Sequence, residues 1–156
     1  MEDEDNKLIK PLMVSFLGQM DSVMKVSNVI SEHSDETELS PDSLISGLVY
    51  RLMTPMTDNE LRESMDAAEE ILNKSSSESD SDCDSEEYQA KDIGTQDHQD
   101  KVIVSRIVKR NTCNCDLCIN VRVCLSNYLK YEVKDKLAQT FKDAIDNACN
   151  IHNISI

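Results

Sequence analysis

The 156-residue chain has little glycine and few aromatic residues. It contains three glycines, no tryptophan and an aromatic content of 4%. The glycines lie far apart, at Gly18, Gly47 and Gly94, so the chain has no glycine-rich loop that could hold a phosphate group. Hydrolytic triads and paired catalytic acids are not indicated either. We therefore expect no enzymatic activity.

Long apolar runs are also lacking. No run approaches the roughly 20 residues that are needed to cross a bilayer, and we expect no membrane partner. Residues 1–5 are mainly acidic, whereas a secretory signal begins with basic residues. The sequence therefore predicts an intracellular protein, cytoplasmic or nuclear. In such a compartment reduced cysteines are ligands, nucleophiles or core residues more often than disulfides.

Positive charge is scarce except near the C-terminus. The net charge is −14. Residues 1–100 hold 7 Lys/Arg against 25 Asp/Glu, whereas residues 101–156 hold 9 against 5. A nucleic-acid role would therefore depend on residues 101–156, because nucleic acids are polyanions. The alternative is an ordinary solvated face, since no aromatic residues are interleaved to stack on bases. The candidate phosphate contacts are Lys101, Arg106, Lys109, Arg110, Arg122 and Lys130.

Helical spacing of apolar residues is the clearest pattern in the N-terminal half. It predicts a first helix from about residue 8 or 11 to about 32, with Pro11 in its first turn. The Met-rich stripe of this helix is typical of a core face. It is also compatible with an adaptable groove for a protein partner.

Two further helices have clear start signals. Ser40 followed by Pro41 is a typical N-cap and first residue, and the proline at position 55 should end that helix. Thr57 and Glu60 form a capping box at the start of a third helix, over about residues 58–74. The three helices predict a small bundle.

Serine and acidic residues dominate the segment that follows, residues 75–100. This composition cannot bury enough apolar surface to recover the entropy lost on ordering, so we expect a disordered acidic linker. Four serines have an acid three residues on, a spacing preferred by acid-directed kinases, and the alternative is an unmodified spacer. The sequence thus predicts separate folding units at residues 1–74 and 101–156.

The C-terminal module is expected to be mostly helical, with one or two short strands. β-Branched residues over 102–108 favour a short strand. Residues 119–129 fit either a strand or a helix, and their length favours a helix. A last helix is indicated by apolar residues from Val133 to His152 on one face. The fold class is therefore mainly α.

Four of the six cysteines lie within twelve residues, and they predict a metal site. Cys115 and Cys118 have the spacing of a chelating pair, and so do Cys149 and His152. Zinc prefers four such S and N ligands in a tetrahedron, so these residues predict a structural zinc site. Cys113 could replace one of the ligands.

Two other interpretations of the cysteines stay open. Cys124 and Cys149 lie on apolar faces and could be buried core thiols. Cys115, near a helix start, could belong to a redox-active dithiol. His33 and His98 lie in polar connections, and the sequence gives no reason to treat them as ligands.

Residues 44–72 and 113–152 resemble small acidic proteins of large nucleocytoplasmic DNA viruses. The resemblance rests on the stretch Leu44–Met53, on Cys113–Cys118, and on Asn127 with Tyr128. It implies a host cytoplasm or a virion as the setting and carries no activity with it.

Together these patterns predict a non-enzymatic intracellular interaction or adaptor protein with a C-terminal module that could hold zinc. Its partner would be another protein. The first alternative is a regulator that binds nucleic acid through residues 101–156. A thiol oxidoreductase is a more distant alternative.

Overall fold

A computed structural model describes residues 2–77 and 105–156 of the chain. The fold is mainly α, as the sequence predicts. Three helices form the N-terminal part: α1 (Glu2–Glu32), α2 (Pro41–Met53) and α3 (Asp58–Ser77). The C-terminal part contains strand β1 (Arg106–Ile107), helix α4 (Asp116–Asn127), a 3₁₀ turn (Tyr128–Lys130), helix α5 (Lys136–Ile151) and strand β2 (Ile154–Ser155).

The helix-start signals are confirmed by hydrogen bonds. The hydroxyl of Ser40 accepts a bond from the backbone N–H of Ser43 at 3.1 Å. At the start of α3, the N–H of Glu60 donates to the Thr57 hydroxyl at 3.3 Å, and the Thr57 N–H donates to the Glu60 carboxylate at 2.8 Å. Both groups of the capping box therefore satisfy backbone donors that the helix leaves unpaired.

Two helix boundaries differ from the prediction. Helix α1 begins at Glu2, so Pro11 lies inside the helix and not in its first turn. A proline there removes one backbone donor, yet the helix continues on both sides. Helix α3 runs to Ser77, so residues 75–77 extend this helix. The remainder of the predicted linker, with Cys83 and His98, lies outside the described residues.

Small residues let the N-terminal helices approach closely. Gly47 on α2 faces α1, where a Cβ atom at this position would clash with the hydroxyl of Ser27 and lie 3.1 Å from the carbonyl oxygen of Val23. Gly18 on α1 lies against the backbone of α3, since a Cβ there would be 3.3 Å from the carbonyl oxygen of Ser64. These contacts fix the three helices as a closely packed bundle.

A short parallel pair closes the C-terminal part. Strand β1 pairs with β2 in the register Arg106 to Ile154 and Ile107 to Ser155. The β-branched segment therefore does contain a strand, although it has only two residues. Its partner at the C-terminus was not predicted. The helix favoured for residues 119–129 is confirmed as α4 and the turn that follows it.

The N-terminal and C-terminal parts contribute to one hydrophobic core, and the expectation of two separate folding units stays a prediction. Helix α2 connects the two parts, because it packs against both α4 and α5. An ion pair also joins the parts, because both guanidinium Nη atoms of Arg106 contact the Asp42 carboxylate, at 2.6 and 2.8 Å. The core residues are Val26, Ile30, Ile45, Val49, Val108, Val121, Cys124, Leu125, Tyr128, Ile145, Cys149 and Ile154.

Over residues 2–77 and 105–156, no helix combines the length and the apolar composition that are needed to cross a bilayer.

Candidate metal centre

The cysteine-rich turn lies between β1 and α4 and is held against the first turn of α4. Cys115 is the N-cap of α4, and its sulfur accepts a hydrogen bond from the backbone N–H of Cys118 at 3.4 Å. The sulfur of Cys113 accepts a bond from the backbone N–H of Cys115 at 3.5 Å. Because each bond links residues two or three apart, the turn folds the three thiols towards one point.

The fourth group comes from the distant end of α1. Asp35 adopts a left-handed conformation, with φ of 56°, which Asp tolerates better than most residues. The N–H of Glu36 then donates to the carbonyl of Ser31 at 3.1 Å, and that of Asp35 donates to Glu32 at 3.2 Å. This is the Schellman pattern of a helix C-terminus. It fixes the last turn of α1, from which His33 reaches the cysteines.

His33 lies within contact distance of all three thiols. Its Nδ1 is 3.5 Å from the sulfur of Cys113, 3.3 Å from that of Cys115 and 3.4 Å from that of Cys118. The four ligand atoms all lie within 4.8 Å of one another. One imidazole nitrogen and three thiol sulfurs at these separations are compatible with a metal such as zinc.

Hydrogen bonds from Asn111 and Arg122 hold the cysteine-rich turn in place. The amide of Asn111 donates to the sulfur of Cys118 at 3.1 Å. Arg122, one helical turn further along α4, donates to the carbonyl oxygens of Asn111 at 3.1 Å and of Cys113 at 2.7 Å. Its guanidinium also contacts the side-chain oxygen of Asn111 at 3.0 Å. Metal ligands in proteins are commonly oriented by such outer contacts.

Hydrogen bonding and burial move two of the thiol pKa values in opposite directions. The N–H of Cys118, together with contacts from Cys113 and His33, lowers the pKa of Cys115 to about 7. Burial raises the pKa of Cys118 to about 11, although the Asn111 amide opposes this shift. Cys115 therefore supplies a thiolate near neutral pH, whereas Cys118 becomes an anion only when a cation compensates its burial.

The structure brings together only part of the predicted ligand set. Cys113, Cys115 and Cys118 converge, but Cys149 is buried in the hydrophobic core and burial raises its pKa. His152 is exposed at the C-cap of α5, and among the described residues neither joins a metal-ligand group. Spacing alone suggested this second pair, because residues three apart share a helix face. Only Cys149 points into the core, whereas His152 lies just beyond the end of α5 and is exposed.

His33 is the member of this cluster that the sequence analysis did not predict. It follows a helix end and lies 80 residues before Cys113, so no local spacing links the two. Only the packing of α1 and α2 against the C-terminal part brings them together.

Several of the predicted phosphate contacts are engaged within the protein. Arg106 pairs with Asp42, Arg122 holds the cysteine turn, and Arg110 donates to the hydroxyl of Ser126 at 2.8 Å. Lys109 and Lys130 are exposed, and residue 101 lies outside the described ranges. These contacts leave a smaller cationic face than the sequence suggests.

Comparisons with known proteins add no family. No protein-family model matches the chain, and neither the curated proteins nor the solved structures that were searched give a match. The candidate site therefore rests on its own geometry.

Proposed function

We propose that the chain is a non-enzymatic interaction protein whose two parts are joined by a structural zinc ion. The ligands are His33, Cys113, Cys115 and Cys118. The observation that carries this proposal is the approach of the His33 Nδ1 atom to three thiol sulfurs, each within 3.5 Å.

The distances support zinc. With Zn–S near 2.3 Å and Zn–N near 2.0–2.1 Å, a tetrahedral site separates sulfur from nitrogen by about 3.6 Å and sulfur from sulfur by about 3.8 Å. The contacts of 3.3–3.5 Å to His33 are close to the first value. Because all four atoms lie within 4.8 Å, the widest pair would close by about 1 Å at most. Three thiolates, a neutral imidazole and Zn²⁺ leave one negative charge.

The position of the site supports a structural role. A metal held by His33 and the cysteine turn would tie the end of α1 to the start of α4. It would close a loop of 79 intervening residues, which costs entropy unless contacts hold its ends together. Four protein ligands also leave no open position for a water or a substrate, as in structural zinc sites. This arrangement favours assembly over catalysis.

The interaction role is supported by exposed apolar side chains and by the net charge of the chain. The N-terminal helices present exposed large apolar side chains, among them Leu8, Leu12 and Phe16, which favour a protein partner. The net charge of −14 opposes non-specific binding to nucleic acids and to anionic membranes. The intracellular location and the resemblance to viral proteins stay predictions.

Native mass spectrometry of the reduced full-length protein tests the zinc site. We expect one zinc per chain, and loss of that zinc in Cys113→Ser, Cys115→Ser and Cys118→Ser. Cys124→Ser is the matched control, because Cys124 is a core thiol and its replacement should leave the metal in place. Protein that is reduced, folded and free of metal after growth in zinc-supplemented medium would contradict the proposal.

Two activity assays test the non-enzymatic role. We expect no turnover in a thiol–disulfide exchange assay and no salt-dependent binding to DNA or RNA at low ionic strength. Turnover that is lost in Cys115→Ser would establish an oxidoreductase instead. Salt-dependent binding that is lost when Lys109 and Lys130 are replaced would establish the nucleic-acid alternative.

A further inference from the structure

A second feature is an open groove that is lined by residues of α1, α2 and α5. The groove has a volume of about 470 Å³, within the range of roughly 300–1,000 Å³ that is usual for small-molecule sites. Its walls are mainly apolar. The side chains that matter here are Leu12, Phe16 and Met20 on α1, Leu52 on α2, and Leu137 and Phe141 on α5.

One charged side chain interrupts this apolar lining. Arg51 of α2 lines the groove, and its side chain is only 2% exposed. Among the residues that the structure describes, neither its Nε nor its Nη1 has a hydrogen-bond partner. A buried guanidinium with unpaired N–H groups is unfavourable, so an acceptor for its Nε–H and Nη1–H groups would stabilise this residue.

Within the described part of the chain, Arg51 has one carboxylate neighbour, Glu60, which reaches only its Nη2 atom. Its Nη2 lies 3.5 Å from the Glu60 carboxylate, which is at the limit of a hydrogen bond. The other carboxylate oxygen of Glu60 accepts from the backbone N–H of Thr57 at 2.8 Å, and the Glu60 side chain is 46% exposed. The ring of Tyr50 lies 5.3 Å from the guanidinium carbon, which gives a cation–π contact but accepts no N–H in the guanidinium plane.

The other charged group in the lining is Asp135. It is the N-cap of α5, where its carboxylate accepts the backbone N–H of Ala138 at 2.8 Å. The Asp135 carboxylate thus caps the helix, and the residue lies in the exposed part of the lining. Arg51 is thus the one cation among the described residues of the groove.

We propose that the groove binds an unbranched aliphatic carboxylate. The carboxylate would accept from Arg51, whose N–H fork suits the planar, two-oxygen group of a carboxylate. The hydrocarbon chain would lie between the α1 and α5 walls, next to Phe16 and Phe141. A guanidinium that is 2% exposed can be reached only by a slender head group, which favours a single alkyl chain over a folded partner.

Decanoate binding to the full-length, zinc-loaded protein tests this proposal, with decan-1-ol as the matched neutral ligand. Isothermal titration calorimetry should show decanoate binding about tenfold or more tightly than decan-1-ol, a preference of the size that one charge-assisted contact provides. The Arg51 Nε–H signal in the NMR spectrum should shift on addition of decanoate and not on addition of decan-1-ol.

Two variants separate the head-group contact from the apolar walls. Arg51→Met keeps much of the side-chain volume and should abolish the preference for decanoate. Phe16→Gln changes an exposed residue, 62% accessible, so the fold should persist while both ligands bind several-fold more weakly. Equal binding of the two ligands, a preference that survives in Arg51→Met, or no binding of either ligand would each overturn the proposal. None of these outcomes depends on the zinc site.

Discussion

The cysteines fall in two regions of the molecule that use the same side chain differently. At the turn before α4 and in the first turn of this helix, Cys113, Cys115 and Cys118 converge on His33. On the apolar faces of α4 and α5, Cys124 and Cys149 are buried among core side chains. The sulfur of Cys124 has one polar neighbour, the hydroxyl of Thr54 at 3.7 Å.

The difference between the two regions lies in their backbone and not in the spacing of the residues. The turn leaves backbone N–H groups free to donate to sulfur. The Arg122 side chain in turn donates to the carbonyl oxygen of Cys113 and holds the backbone of the turn in place. A helix interior has already used its N–H groups in its own ladder. The turn is therefore suited to thiolate ligands, whereas the helix faces are suited to neutral core thiols.

Metal removal should give the largest difference between the cysteines of the two regions. If free zinc exceeds its dissociation constant on the order of 1,000-fold, chelation should lower the free energy of unfolding by about 4 kcal/mol. Urea denaturation with and without a chelator measures this difference. Cys124→Ala should keep the sensitivity to the chelator, and Cys118→Ala should lose it. Equal sensitivity in both variants would remove the distinction.

Replacement of Asp42 tests a contact between the same two parts that involves no sulfur. Arg106 and the backbone N–H of Lys109 lower the pKa of the Asp42 carboxyl below its ordinary value of 3.8. Because the folded pKa is the lower one, the stabilisation is present above pH 3.8 and disappears as the pH falls through the folded value. Asp42→Asn should cost about 1.5–3 kcal/mol at neutral pH.

The measurement is chemical denaturation of both proteins as a function of pH. The difference between wild type and Asp42→Asn should stay constant near neutral pH, shrink below about pH 4 and be unaffected by a chelator. A difference that grows on acidification would show that the sign of the pKa shift is wrong. A chelator-dependent difference would mean that the ion pair and the metal site are coupled.

Cys149→Ser should show that the core thiols act as apolar groups. A serine hydroxyl at this buried position would lose its hydration without gaining a partner, at a cost of about 1–3 kcal/mol. The zinc content should stay at one per chain, whereas Cys113→Ser should remove it. Thermal unfolding and metal analysis of the two variants check both points. Loss of zinc in Cys149→Ser would restore the ligand set predicted from spacing.

The smallest expected effect is a difference in the rate of thiol alkylation, measured in metal-free protein. With its pKa lowered to about 7, Cys115 has more thiolate near neutral pH than an ordinary thiol, but a thiolate of lower pKa is intrinsically less nucleophilic. We expect it to react with iodoacetamide about fivefold faster at pH 7 than an unperturbed peptide thiol. Peptide mapping measures the rates.

The pH profile is the control for that experiment. The rate at Cys115 should rise with pH, with a midpoint near 7, while Cys149 should stay nearly unreactive because burial raises its pKa. Added zinc should protect Cys115. A midpoint near 9, the ordinary cysteine value, would mean that the hydrogen bonds to this sulfur do not persist in solution.

Local signals in the sequence predicted much of the fold. Caps at Ser40 and Thr57 and the apolar periodicity of α2, α3 and α5 depend on residues within a few positions of one another, and each was confirmed. The N-terminal extension of α1 was not predicted, because the apolar periodicity begins near residue 8 and Pro11 is typical of a first helical turn. The pairing of β1 with β2 joins residues 48 apart, a distance over which periodicity carries no information.

Sequence analysis predicted the cysteines of the candidate site but not its histidine. The cysteine turn is a cluster in sequence, whereas His33 reaches it through the packing of α1 and α2 on α4. The expectation of separate N-terminal and C-terminal units led away from such a contact. The helical spacing of Cys149 and His152 offered a simpler fourth ligand, although the same spacing is typical of a core face.

The most direct test of the central claim compares two histidines. His33→Ala and His152→Ala each remove one imidazole, and zinc content and affinity are then measured by native mass spectrometry and competition with a chelator. The account predicts that His33→Ala loses zinc or binds it at least about tenfold more weakly, since outer contacts alone can change metal affinity by about 10–100-fold. His152→Ala should match wild type. Full zinc affinity in His33→Ala, or its loss in His152→Ala, would contradict the assignment of His33 as the fourth ligand.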